Sequence, residues 1–266
     1  MVYLMVEQQF AKYPWCQRAI RGIFDEVRKR RIHVQEVSEL PGGAEERSCV
    51  LLIGASEEWI NQTARRAGVL GLHPIVLSNR ETNSSGLSVS SVKMDIHSSM
   101  ELAVDYLRTL GRERLALFGV NPSASSDLWR ARRFEELTGR EGNVFYLGSS
   151  VTEIFDQFYE KIHRYDGVIC ASDYAAVSLV GRLRDKNYAI PEKLYVVGYG
   201  DMFLSRLFRP SITSISDDYE SFGKAALSIC AMMEKNDAFS VVSVKLKSRL
   251  HIRETTENRP YIPDSR

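Results

Sequence analysis

Cysteine is scarce: Cys16, Cys49, Cys170 and Cys230 are the only four in 266 residues. They lie far apart in apolar surroundings, and no CxxC or Cys/His ligand spacing occurs, so buried structural thiols are expected and a zinc site is not. A charge excess is also missing. Thirty-five basic side chains face 34 acidic ones, a balance unlike that of a protein built to grip a polyanion. No apolar run approaches the ~18–20 residues that span a bilayer. The N-terminal MVYLMVEQQF lacks the basic start, apolar stretch and small-residue cleavage site of a signal peptide. A cytoplasmic protein with no membrane partner is the expectation. Enzyme signatures are absent as well: no GxxxxGK[ST] loop, HExxH helix, GxSxG elbow, or GxGxxG after the first strand. The histidines (His33, His73, His97, His163, His251) are scattered, none within five residues of another or of a cysteine. The reading is therefore of no enzyme, with no catalytic residue, metal or cofactor.

What is present is a core-forming chain, 44% hydrophobic, long enough for one large domain or two lobes of about a hundred residues or more. Short apolar runs alternate with amphipathic stretches. VYLMVE (2–7), IHVQEV (32–37), CVLLIG (49–54), PIVLS (74–78) and 89–94 read as strands. Between them, Trp15–Arg31 carries Cys16, Ala19, Ile20, Ile23, Phe24 and Val27 at helical spacing, and a polar helix covers 57–68. A Ser/Asn/Gly-rich loop is expected at 78–86. The pattern restarts near residue 96: Met100, Ala103, Val104, Leu107 and Leu110 form a helix face ended by Gly111. The strands RLALFGV (114–120), NVFYLG (143–148), GVICA (167–171) and LYVVGY (194–199) follow, with helices between them. The alternating SITSI, a helix over 218–234 and two adjoining strands within 240–253 close the fold, before the polar tail ENRPYIPDSR. Repeated βα units imply parallel sheets with helices on both faces, here ten or so strands in two sheets. Ligands of such sheets bind beyond the strand carboxyl ends, where strand order reverses. The Gly-Tyr-Gly-Asp turn at 198–201 sits at such an end.

Two basic groups need a reading. RKRR (28–31) ends the first helix, where cations complement the helix dipole, so a solvated helix end is preferred over a nucleic-acid contact. Arg130, Arg132 and Arg133 span two faces of one helix, so only part of the cluster can point one way.

Five segments together resemble the LacI/GalR family of transcription regulators. ICASDYAAVSLVGRLRD (169–185) is similar to its ANDxxAxGxxxxLxxxG element, and YVVGYGDMFLSRLFRPSITSI to VVGFDDxxxxxxxxPPLTTI. SVKMDIHSSMELAVDYLRTLGRERLALFG (91–119) resembles VxxDNxxGAxxAxxHLxxLGHRRIAxxxG, WRARRFEEL (129–137) resembles RxxGFxxAL, and RLHIRETT (249–256) resembles LVVRES. They occur in the family's order and cover nearly the whole chain. The resemblance implies an α/β fold of two doubly wound parallel-sheet lobes, periplasmic binding protein type I-like. Three hinge crossovers would lie near 94–96, 214–217 and 246–248. Residues 1–95 with 217–246 would form the N-terminal lobe, and 96–216 with 247–256 the C-terminal lobe, leaving 257–266 as tail. It implies a small-molecule effector domain whose lobes close on a carbohydrate-related or acidic metabolite, in a homodimer. DNA would be reached only through a helix-turn-helix, which the family carries at its N-terminus and which these residues lack. A solute-binding protein of a transport system shares the fold and is the alternative.

Carried over position by position, the resemblance implies ligand contacts at Tyr13, Trp15, Asn79, Arg130, Ser172, Asp173 and Asp201. Trp15 follows a Tyr-Pro turn and either stacks on a ligand ring or packs in the helix core. Arg130 matches an arginine that forks onto ligand oxygens. Asp173 either binds ligand or caps its helix. Ser172 stands where the family has asparagine, while Gly200 and Asn79 replace aspartates, which leaves Asp201 as the one acid of its turn. An arginine with fewer acidic neighbours favours a phosphorylated, acidic or deoxygenated ligand over a plain hexose.

Overall fold

The computed structural model describes residues 1–43, 48–79, 89–139, 142–148, 151–235 and 241–257. Most of the 78–86 loop and the tail from residue 258 lie outside the described residues. The chain divides into two compact units, Met1–Asp95 with Asp218–Lys247, and Ile96–Asp217 with Ser248 onward.

The first unit holds β1 (Val2–Val6), α1 (Pro14–Arg30), β2 (Val34–Glu36), β3 (Cys49–Ile53), α2 (Glu57–Val69), β4 (His73–Ser78), β5 (Ser90–Met94), α8 (Ser221–Lys235) and β11 (Ser243–Leu246). Its sheet runs β11-β5-β4-β3-β1-β2, every ladder parallel. All of β3 is buried, as a strand covered on both faces must be. Helices α1 and α8 pack closely because Gly22 and Gly223 meet backbone to backbone; a Cβ on either would strike the opposite main chain. α8 starts three residues later than its periodicity predicts, since Asp218 receives the backbone N–H of Ser221 on its carboxylate at 3.3 Å. The RKRR run is matched on its own helix: Arg28 pairs with Asp25, and Arg30 with Glu26 at 2.8 Å. That supports the solvated helix end.

The second unit holds α3 (Ile96–Thr109), β6 (Leu115–Val120), α4 (Ser125–Thr138), β7 (Val144–Tyr146), α5 (Val151–Glu160), β8 (Gly167–Cys170), α6 (Asp173–Asp185), β9 (Tyr195–Tyr199), α7 (Phe203–Leu207), β10 (Thr213–Ser216) and β12 (Arg249–His251). Its sheet order is β12-β10-β9-β8-β6-β7. One face packs on α5 and α6 through Phe118, Phe145, Phe158 and Leu179; the other packs on α3 and α4 through Leu107, Leu117, Phe134 and Val197. The two strands read as adjoining within 240–253 enter different sheets. β12 pairs antiparallel with β10, so this sheet is parallel except at that edge.

In both sheets the strand order reverses once, between β1 and β3 in the first unit and between β6 and β8 in the second. Those switch points are where the fold leaves room for a ligand beyond the strand ends.

Candidate functional site

At the switch point of the first unit, β1 is followed directly by Glu7, which is buried. Its Oε2 accepts the backbone N–H groups of Ala55 and Ser56 at 2.9 and 3.0 Å, and Ser56 Oγ and Gln9 Nε2 reach its other oxygen. A carboxylate there satisfies the N–H groups of the turn that leads into α2, close to the positive dipole end of that helix. Sequence reasoning missed Glu7, because its partners lie forty-odd residues on (residues 55 and 56); the one local signal was an acid closing an apolar strand.

Of the predicted site residues in this unit, Trp15 is buried, with ring centroids 6.3 Å from Phe10 and 6.1 Å from Tyr219. The core-packing alternative describes its position. Tyr13 is 52% exposed at the start of α1, against Phe10. Asn79 follows β4, and its Oδ1 is buried without a hydrogen-bond partner among the described residues.

The second unit gathers the remaining four into two clusters on opposite faces of β9. On one face, Asp173 is fully buried. It accepts Met202 N–H at 2.6 Å on Oδ2 and Ser214 Oγ–H at 2.6 Å on Oδ1. Gly198 leaves the space, since a Cβ there would strike Oδ1. Burial raises the Asp173 carboxyl pKa, against the hydrogen bonds from Ser214, Met202 and Ser205. The helix cap is Ser172 and not Asp173: Ser172 Oγ accepts Ala175 N–H at 3.2 Å.

The Gly-Tyr-Gly-Asp turn is tied down rather than held out. Gly200 has φ +121°, a conformation that side chains disfavour, so backbone geometry demands the glycine that stands in place of the family's aspartate. Asp201, at φ +46°, is ion-paired to Arg206 and Arg253, and His251 Nε2 lies 3.6 Å from its Oδ2. Burial alone would raise the Asp201 pKa; hydrogen bonds from Arg206 and Arg253 outweigh it and hold the carboxyl below its ordinary value. Both predicted acids of this unit therefore have their oxygens engaged inside it.

The other face carries Arg130. Of the three arginines on α4 it alone turns inward: Arg133 pairs with Glu101 and Glu136, and Arg132 lies against Trp129. The Arg130 guanidinium sits 3.8 Å from the Tyr199 ring centroid and donates from NH1 to Asp127 Oδ1 at 2.8 Å. Its Nε is buried with no partner among the described residues. Burial would lower its pKa, but Tyr199, Asp217 and Asp127 together hold it above the ordinary arginine value. Asp127 and Asp217 are thus acidic neighbours of Arg130 that the reading of fewer acids around it did not include. Asp127, one helical turn earlier, was visible in the spacing, whereas Asp217 arrives from the far end of β10. Tyr199 and Asp217 belong to this site and were not predicted.

Among the described residues no cluster of His, Cys, Asp and Glu could hold a metal, and no helix is long and apolar enough to cross a membrane. The profile of the periplasmic-binding-protein-like domain family matches residues 104–256. The regulator RegA of Clostridium saccharobutylicum is 31% identical over 93 residues, 35% of this chain and 28% of that protein. Catabolite control protein A of Staphylococcus epidermidis is 22% identical over 219 residues, 78% of this chain and 64% of its own length. A LacI-family regulator from Enterococcus faecalis, solved with bound ribose, superposes with a TM-score of 0.67 at 18% identity, covering 98% of this chain and all of that one. The chain thus spans 28% and 64% of the lengths of these two curated relatives. With this fold and these matches, the chain belongs to the periplasmic-binding-protein-like domain family, as an effector-binding core of the LacI regulator type.

Proposed function

We propose that this effector domain senses a neutral, sugar-like molecule and passes its presence to an attached DNA-reading element of a LacI/GalR-like regulator. The observation that carries the reading is Arg130: a charged, mostly buried guanidinium near the carboxyl ends of the second unit's strands, with Nε still to be paired. A buried polar atom without a partner is costly, and a ligand oxygen would relieve that cost. Asp127 and Asp217 already balance the arginine's charge, so a hydroxyl gains a donor there while an added anion would meet two carboxylates. The ribose bound by the Enterococcus faecalis relative agrees with this class of ligand. In the first unit, Tyr13 and Asn79 are the candidate contacts; Trp15, Ser172, Asp173 and Asp201 shape the surrounding backbone. Binding would select one conformation of a cytoplasmic homodimer, and the DNA reader would respond to that choice.

The test is a thermal-shift screen followed by calorimetry, comparing ribose, glucose and cellobiose with glucose 6-phosphate and citrate. A ligand at a hundred times its Kd stabilises the native state by about 2.7 kcal/mol, a shift of several degrees. Neutral sugars should give the larger shifts, and Arg130→Ala should abolish them. Larger shifts from the anions, or sugar shifts unchanged in Arg130→Ala, would refute the reading.

A further inference from the structure

We infer that Tyr199 is a positioning residue that links Arg130 to all three points where the chain passes between its two units. The chain enters the second unit at Ile96, leaves it after Asp217 and returns at Ser248. Tyr199, the last residue of β9, donates its hydroxyl to Asp217 Oδ1 at 2.7 Å. Ser248 donates its hydroxyl to the same oxygen, also at 2.7 Å. The side chain of Ser99, in the first turn of α3 just past the entry point, hydrogen-bonds the Tyr199 oxygen. One phenol therefore touches the second crossing directly, the third through a shared carboxylate oxygen and the first through Ser99.

The geometry is well insulated. Tyr199, Asp217 and Ser99 are all buried, so water competes poorly for these hydrogen bonds. Burial and the neighbouring Asp217 push the Tyr199 pKa up to about 12, against the opposing Arg130, so the phenol remains a donor across the physiological range. Arg130 lies over the ring of this same residue. Any ligand that reorients the guanidinium alters the contact that holds the ring, and the ring carries the hydroxyl that ties the crossings. The functional meaning of this link rests on Arg130 as a ligand residue; the physical link does not.

The test uses the unliganded chain, so its failure is separable from a failed sugar screen. Hydrogen exchange by mass spectrometry would compare wild type, Tyr199→Phe, Arg130→Ala and the double variant. Tyr199→Phe keeps the ring under Arg130 and removes the hydroxyl. Exchange near 96–100, 213–217 and 248–251 should then rise together by about tenfold, the loss expected for one buried hydrogen bond. Arg130→Ala, which touches none of those segments covalently, should raise the same three by several-fold. The double variant should exchange little faster than Tyr199→Phe, since both changes cut one chain of contacts. Arg130→Ala speeding α4 alone, or multiplicative effects in the double variant, would overturn the link. If Tyr199→Phe fails to fold, Ser248→Ala serves at the far end of the chain of contacts. It should loosen 213–217 along with 248–251, and loosening confined to its own segment would equally overturn the inference.

Discussion

Asp201→Asn isolates one charge at the centre of the turn after β9. Asparagine suits the left-handed backbone at φ +46°, so the substitution changes the ion pairs and little else. Asp201 has a side chain 6% exposed, facing Arg253 at 17% and Arg206 at 56%. The Arg206 end is a surface pair worth ~0–1 kcal/mol. The Arg253 end approaches a buried pair, for which removing one partner costs ~3–5 kcal/mol. Arg253 also donates to the Ile212 carbonyl at 2.8 Å, so it is not left wholly unpaired. The expected loss is therefore about 2–3 kcal/mol at pH 7, or about 5–10 °C in Tm for a cooperative unit of this size. The pH dependence follows from the lowered folded-state pKa. A depressed carboxyl pKa contributes stability above its unfolded value of ~3.9 and loses it as pH falls through the folded value. The gap between wild type and Asp201→Asn should be full at pH 5–7 and shrink below about pH 4. Urea unfolding followed by tryptophan fluorescence across that range measures it. A gap under 0.5 kcal/mol at pH 7, or one that persists undiminished in acid, would refute the assignment of Asp201 as a structural anchor.

Gly223→Ala should destabilise by about 1–3 kcal/mol through collision with the backbone of α1, although alanine favours a helix by ~1 kcal/mol; a more stable variant in urea would contradict the close α1–α8 contact. Ser172→Ala should cost about 1 kcal/mol as a lost helix cap, and an unchanged urea midpoint would remove that role. Phe158→Ala empties a ring site edge-on to Phe118 and Phe145, at 5.4 and 5.2 Å, and should cost about 3–5 kcal/mol by calorimetry.

The amino-acid sequence by itself determined the alternation of strands and helices. Strands such as CVLLI and LALFGV, apolar without interruption, admit only a place covered on both faces, and helices such as α1 carry one apolar stripe. Those are local periodicities, and each residue needs only its near neighbours to express them. Asp127 beside Arg130 was legible for the same reason, being one turn away on one helix. What the tertiary structure alone decided is where the polar side chains spend their hydrogen bonds. Asp173 reads as a ligand acid or as the cap of its helix, yet it is buried against Met202 and Ser214, 29 and 41 residues on. Asp217 reads as one acid before a helix, yet β10 lying beside β9 sets it on Tyr199, and the return of the chain at Ser248 completes the cluster. β12 reads as the neighbour of β11 and joins the other sheet. In each case the partner is supplied by strand order and chain crossings. A hydrogen bond requires two atoms within about 3 Å, and no spacing along the chain specifies which distant strand will bring the second atom there.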